Sequence, residues 1–420
     1  MPYSKPNALP DSFTAFNVTP SRTDIADKFI KHDENMLSQI YGSQEVVPYW
    51  IADMDFPIAS PITQAMQQLV SRETYSYEFD SKTVFQAISA WNKERHGLKL
   101  NADHFVQVPG VLSAIALLIR DFTQEGDGVL IQTPVYHQFR RLIESAGRQA
   151  VNNTLKVEGG RYVIDFEDFE TKLQSGKVKM VLLCNPHNPV GRVWTKEELV
   201  RLTSIAKKYQ VIIISDEVHG DIVFDGATFT SMTTLGYDKS LTIIGSPAKN
   251  FGLNSLSNGY IYSDNELLRD KIKATAASMS LDHGNVFTTY ATVAAYQHGK
   301  AWFDAFLAYT QNTRNWIVAF MADKVPHVKV FIPEGTNQIW FDFSDLRLGS
   351  QSLKVLLTKE AKLALTPGTW FGEPDENFYR MNFASPLDQI QASLALLESA
   401  INRLGRGATT QLSPTLKTEE

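Results

Sequence analysis

The sequence predicts an α/β fold: a sheet of buried strands with helices on both faces, followed by a smaller α+β domain. Two observations predict it. Between about Trp50 and His298, four short runs rich in Val, Ile and Leu (128–132, 179–183, 211–215 and 241–245) alternate with amphipathic stretches. Runs of that composition suit strands buried on both faces, and strand–helix alternation builds a mostly parallel sheet. After about Lys300 the pattern changes: long amphipathic helices at 301–324, 352–360 and 386–404 flank β-like runs at 328–332 and 338–343.

In chain order, residues 1–50 are irregular, with Pro2, Pro6, Pro10 and Pro20, and one helix is expected over 24–41. This segment is expected to pack with the C-terminal domain. The large domain then spans 51–298, the small domain 299–405, and a tail occupies 406–420. The short run 106–108 leads through Gly110 into a helix over 111–122, and further helices are expected over 135–146 and 196–209. The last has a start signal, Thr195 with Glu198 three residues later, the pattern of a capping box. The tail, with Gly407, Ser413 and Pro414, reads as frayed.

Composition narrows the function. At roughly 100–200 residues per domain, 420 residues make two to three domains. Hydrophobic residues at 43% and charged residues at 20% support a large core. A net charge of −6 argues against a nucleic-acid surface. No apolar run approaches the roughly 18 residues of a membrane span, and the first ten residues lack an apolar signal core. The single cysteine, Cys184, excludes a disulfide framework and a cysteine-based zinc site, and it reads as a buried apolar filler. Phosphate-loop, dinucleotide-binding and His-Glu-x-x-His motifs are absent from the sequence. A cytoplasmic protein is the expectation.

In open α/β sheets, ligands bind outside the carboxyl ends of the strands. The residues just past each run are therefore informative. Thr133-Pro134-Val135-Tyr136 comes after the first, Cys184-Asn185-Pro186-His187-Asn188-Pro189 after the second, Asp216-Glu217-Val218-His219 after the third and Ser246-Pro247-Ala248-Lys249 after the fourth. One sheet edge thus receives an aromatic ring, an amide, a carboxylate with an imidazole, and an amine with a hydroxyl. A phosphate-bearing pyridine aldehyde suits that set. The amine can condense with the aldehyde, the carboxylate can keep the ring nitrogen protonated, and the aromatic ring can stack on the pyridine. Gly110-Val111-Leu112-Ser113, opening a helix, supplies amides for the phosphate.

These residues carry a family resemblance. The chain resembles fold-type I pyridoxal-phosphate enzymes, the class I/II aminotransferase superfamily, and within it the cystathionine β-lyase (carbon–sulfur lyase) subgroup. The resemblance covers about residues 25–405 and rests on Trp50-Ile51-Ala52-Asp53-Met54-Asp55-Phe56, Tyr75-Ser76-Tyr77, the stretches 127–136, 185–191 and 215–219, Lys249 with its neighbours, and Phe378-Tyr379-Arg380-Met381-Asn382. It implies a large domain with a mostly parallel seven-stranded sheet and a smaller α+β C-terminal domain. It also implies roles. Lys249 is the catalytic lysine that carries the aldehyde. Asp216 partners the ring nitrogen, Asn188 and His219 the ring hydroxyl, and Tyr136 covers one ring face. Val111, Leu112 and Ser246 hold the phosphate. Tyr77 reaches the phosphate of a neighbouring subunit, so a homodimer is implied. Arg380 binds the substrate carboxylate, and Asp53 and Met54 line the substrate entrance. The chain departs from many aminotransferases at Ser257, where an arginine is common, and at His219, where a tyrosine is common. It departs from many lyases at Ala248 and Asn337.

The implied reaction is β-elimination from an L-amino acid with a sulfur leaving group, with Lys249 as general base. Transamination uses the same residues and is the alternative. A pyridoxal-phosphate-binding regulator without catalysis is a third reading, disfavoured by the intact Lys249, Asp216 and Arg380.

Overall fold

The computed structural model describes residue 16 and residues 28–78, 81–237, 240–256, 258–374 and 376–408. Ser257 and most of the expected tail lie outside the described residues.

The central sheet has seven strands: β1 (Phe105–Val108), β2 (Gly128–Ile131), β3 (Gln149–Asn152), β4 (Val178–Cys184), β5 (Ile212–Asp216), β6 (Leu241–Gly245) and β7 (Gly259–Tyr262). Their spatial order is β1-β7-β6-β5-β4-β2-β3, and only β7 runs against its neighbours. The apolar runs are explained by strand geometry, since successive side chains point to opposite faces. Val129, Ile131, Met180, Leu182, Ile214 and Ile244 enter one core cluster. Leu130, Val181, Leu183, Ile213 and Ile243 enter the other, on the opposite face. Both faces are covered, so no polar alternation survives in the sequence.

Val111–Phe122 forms a helix over the expected span, burying Ala114, Ile115, Leu117, Leu118 and Ile119 against the sheet. Lys196–Lys208 is also a helix, and its capping box is formed: Thr195 and Glu198 each satisfy the other's backbone N–H.

Other elements differ from expectation. The helix expected over 135–146 begins at Gln138, because the Val135 N–H is spent on Phe371 O at 2.9 Å. The helix expected over 24–41 is Glu34–Tyr41; Asp33 caps it by accepting from Met36 N at 2.7 Å, and residues 24–27 lie outside the described residues. The stretch expected as a helix over 352–360 is an α-helix at Ser350–Val355, then a π-helical turn at Leu356–Glu360.

Beyond the helices Val286–His298 and Lys300–Lys324 lies an antiparallel sheet of β8 (Lys329–Phe331), β9 (Gln338–Asp342), β10 (Thr366–Pro367) and β11 (Phe378–Asn382), in the order β8-β9-β11-β10. Leu387–Ala408 closes the described chain. The N-terminal Val47–Pro48 pairs in parallel with Leu363–Ala364, so residues far apart in sequence share a short sheet. No helix among the described residues is long and apolar enough to cross a membrane.

Candidate active site

Strand register sets the site. Cys184 of β4 is level with Asp216 of β5, and Asp216 with Ile244 of β6. The loops after these strands therefore start side by side at one edge of the sheet. They carry Asn188, His219 and Lys249.

Asp216 is buried, and one carboxylate oxygen accepts from Val218 N at 3.1 Å. Burial pushes its carboxyl up to about 7, while the Val218 amide and Lys249 pull it down. Lys249 shows the complementary shift. Burial pushes its amine down to about 8, Arg380 adds to the fall, and Asp53 and Asp216 oppose it. The Lys249 Nζ donates to Ala52 O at 2.6 Å and to Asn254 Oδ1 at 3.0 Å. His219 is buried and its Nδ1 has no hydrogen-bond partner. Burial, with Lys249 and Arg380, lowers its imidazole to about 3, so the ring is neutral at ordinary pH.

Arg380 comes from β11 of the small sheet and is 3% exposed. Its Nη1 donates to Asn188 Oδ1 at 3.2 Å, and its Nη2 donates to Trp50 O at 2.6 Å and Thr366 Oγ1 at 3.2 Å. Among the described residues these partners are all neutral, and Nε has none. A guanidinium without a counter-ion in such a place is costly. Burial holds it down to about 10. The arrangement suits an incoming carboxylate, which a guanidinium can bind through two parallel hydrogen bonds.

Tyr136 is half-buried in the turn after β2, its ring edge-on to His137 and Phe139. Burial raises its phenol. The helix that starts at Val111 has Gly110 at its N-cap and no side-chain cap, which leaves amides open to an anion. Gly259 of β7 lies against this start. A Cβ there would come within 2.7 Å of the Gly110 carbonyl carbon. Ser246 is buried; its hydroxyl donates to Asn258 O and accepts from Ala248 N at 3.1 Å. Its proton is thus engaged with the backbone in this structure. Leu112 is 38% exposed, so what Val111 and Leu112 offer is backbone.

Asp53 and Met54 lie on the segment that passes Lys249. Asp53 Oδ1 accepts from Met54 N and Asn254 Nδ2, both at 2.8 Å. Met54 is buried in the core, its sulfur beside Gly252. Tyr77 stands apart, fully exposed. Cys184 is buried, and burial raises its thiol.

Several groups here had no role assigned from the sequence, although Trp50, Ala52 and Asn382 stand in the stretches that carry the family resemblance. Ala52 and Trp50 act through carbonyl oxygens, which any residue carries. Thr366 and Asn254 belong to no motif. Asn382 ties the segment in place, donating to Ile51 O at 2.8 Å and Asp53 O at 2.5 Å.

The residues fit pyridoxal phosphate on structural grounds. A lysine amine of lowered basicity, a buried carboxyl near neutrality, an unpartnered buried imidazole nitrogen and an uncapped helix start converge on the ends of adjoining strands. Among the described residues no cluster of His, Cys, Asp or Glu could hold a metal ion.

Fold and site together define a doubly wound α/β protein that brings a lysine, a carboxylate and an arginine within reach of one another's charge. The chain belongs to the aminotransferase class I and II family, whose model matches residues 54–395. It is 34% identical over 367 residues to the cystathionine beta-lyase PatB of Bacillus subtilis (strain 168), covering 87% of this chain and 95% of that one. Among solved structures, a pyridoxal-phosphate-bound protein from Clostridium difficile 630, provisionally classed as an aminotransferase, superposes with a TM-score of 0.88 at 33% identity, covering 92% of this chain and 99% of the other. Cystalysin from Treponema denticola, which contains pyridoxal 5′-phosphate, gives 0.87 at 28% identity, over 93% and 99%.

Proposed function

We propose that the protein is a pyridoxal-phosphate-dependent carbon–sulfur β-lyase that cleaves L-cystathionine or related cysteine conjugates to a thiol, pyruvate and ammonia. The observation that carries the reading is the buried Arg380, with no counter-ion among the described residues and close enough to Lys249 for its charge to lower the amine's basicity: it calls for an amino acid's carboxylate beside a lysine amine. The 34% identity to a cystathionine beta-lyase over most of both chains supports elimination rather than transamination.

Lys249 would carry the cofactor aldehyde, and Asp216 would share a proton with its ring nitrogen. Asn188 and His219 would hydrogen-bond its ring hydroxyl, and Tyr136 would cover one ring face. The amides of Val111 and Leu112 would bind its phosphate, with Ser246 joining them by turning its hydroxyl away from Asn258. Bound there, the cofactor supplies an electron sink for negative charge at the substrate's α-carbon.

Arg380 holds the substrate carboxylate and so orients the Cα–H bond. Lys249, with its amine free, would accept the Cα proton at Nζ. An amine lowered to about 8 is a better base near neutral pH than an ordinary lysine, because more of it is unprotonated. Asp53 would line the way in, and Met54, its side chain buried in the core, would do so through its backbone. The resulting ammonium can return its proton to the departing sulfur.

Tyr77, exposed in the single chain, supports a homodimer in which it reaches the neighbouring subunit's phosphate site. We place the protein in the cytoplasm. We divide the chain into an N-terminal segment at 1–50, a large domain at 51–298, a small domain at 299–405 and a tail at 406–420. Gly299, between two helices, and the pairing of Val47 with Leu363 support that division.

The test is pyruvate release from L-cystathionine by purified protein supplied with pyridoxal phosphate. Stoichiometric pyruvate supports the lyase. No pyruvate, with keto-acid-dependent amino transfer instead, supports the aminotransferase alternative.

A further inference from the structure

Lys249 has two acceptors, and one belongs to a residue outside every motif in the sequence. Nζ donates to Ala52 O at 2.6 Å and to Asn254 Oδ1 at 3.0 Å. Asn254 Nδ2 in turn donates to Asp53 Oδ1 at 2.8 Å. Chemistry fixes which way the amide faces. An ionised carboxylate only accepts, so the NH₂ group must face Asp53 and the carbonyl must face the amine. The backbone brings Asn254 there through Gly252, which closes the short helix Ala248–Phe251 at φ 70°. A left-handed turn of that kind suits glycine.

A neutral amine has two N–H bonds and one lone pair. Ala52 and Asn254 occupy both N–H bonds, and the lone pair then points away from them. We propose that Asn254, oriented by Asp53, is a positioning residue that aims the Lys249 lone pair at the substrate's Cα–H bond. The inference rests on the reading of Lys249 as general base and deepens it. In the step, the Cα–H bond breaks, its electron pair stays with the substrate, and the proton forms a third N–H bond on Nζ. That third N–H has no acceptor in the pair. It is the one available to the departing sulfur, which leaves with the C–S electron pair, takes the proton and restores the neutral amine.

Charge around Nζ is consistent with this arrangement. Burial and Arg380 disfavour the ammonium, Asp53 and Asp216 favour it, and the neighbouring His219 is uncharged at ordinary pH. Asn254 adds an acceptor without adding charge, so the amine is held while its basicity stays low.

The experiment has two readouts, applied to Asn254→Ala and Asn254→Asp. In the holoenzyme, Asn254→Ala is expected to lower kcat about tenfold, the loss of one hydrogen bond, with KM within about twofold of wild type. In the cofactor-free full chain, Lys249 is labelled with trinitrobenzenesulfonate across a pH series, and its peptide is quantified by mass spectrometry. Asn254→Asp should move the labelling midpoint up by about one pH unit, because a second carboxylate then faces the amine. Asn254→Ala should not raise it. The Asn254→Asp shift establishes that the side chain faces Nζ; a purely structural role would not lower kcat in Asn254→Ala while KM is held. The proposal is overturned if Asn254→Asp leaves the midpoint unchanged, or if Asn254→Ala keeps kcat within twofold. Failure of the underlying reading looks different: Lys249→Ala would then turn over at the wild-type rate.

Discussion

Arg380 is a buried ionisable group and Glu217 a half-buried one, and they are held in different ways. Arg380 has only neutral partners, so its guanidinium is best satisfied when a ligand carboxylate arrives. Arg380→Lys keeps the charge but loses the planar fork. It is expected to cost about 2–3 kcal/mol, or roughly 30- to 150-fold in kcat/KM, seen mainly as a raised KM in steady-state assays. Glu217 is enclosed by protein donors: Ser215 Oγ at 3.1 Å, Ser231 Oγ at 2.7 Å and Met232 N at 2.9 Å. Burial nonetheless pushes its carboxyl up to about 7, against its ordinary 4.5. The folded chain therefore binds more protons than the unfolded chain between those values. The Glu217 contribution to stability is full below pH 4.5 and is lost as pH rises through about 7. Glu217→Gln stays neutral and removes this loss. In thermal melts of the cofactor-free chain, the variant is expected to gain on wild type from pH 5 to about pH 7 and to hold that gain up to pH 8. A constant difference across that range would contradict the burial argument.

Among the elements, local chemistry decided what could be read from the sequence. The helix Lys196–Lys208 was legible because Thr195 and Glu198 mark its start within four residues. Thr195→Ala should lower stability by about 1 kcal/mol in denaturant titrations and leave kcat unchanged, since the Thr195 hydroxyl caps the helix and bonds to none of Lys249, Asp216 and Arg380. The four central strands were legible from their apolar runs. β7 was not, because Gly259-Tyr260-Ile261-Tyr262 lacks the run of Val, Ile and Leu that marked the other four. The turn at Val135 and Tyr136 was hidden for a tertiary reason, its backbone bond to Phe371 O. The same division holds in the site. Asp216, Asn188 and Lys249 come directly after apolar runs, so their placement at one sheet edge could be read. Asn254 could not, because its partner Asp53 is 201 positions away and the Gly252 turn sets their meeting. Close packing at the helix start gives a further expectation. Gly259→Ala places a methyl group against the backbone of Gly110 and Val111. Pyridoxal phosphate affinity, tracked by absorbance titration, should fall by tenfold or more, while a variant at the exposed Gly349 should not change it.

Across the molecule, the site depends on how the small sheet is fixed to the large one. Glu334 precedes β9 and accepts from Arg192 Nε at 2.9 Å, Val193 N at 2.9 Å and Arg161 Nη2 at 2.7 Å. Arg192 is buried and also pairs with Glu198 at 2.8 Å, so the capped helix, the loop after β4 and the small sheet meet at one guanidinium. On the N-terminal side, Asp55 pairs with Lys31 at 2.6 Å and accepts from Ser385 Oγ at 2.5 Å. Burial would raise its carboxyl, but Lys31, His32 and Ser385 hold it well below the usual carboxylate range. Glu334→Ala leaves Arg192 with half of its carboxylate partners. It is expected to cost about 2–4 kcal/mol in chemical denaturation and to raise KM, because Arg380 rides on the same small sheet. The central claim remains that Lys249 carries the cofactor. Its most direct test is borohydride reduction of the holoenzyme, then peptide mapping by mass spectrometry. The reduced pyridoxyl group is expected on Nζ of Lys249; label on another lysine, or on none, would rule this assignment out.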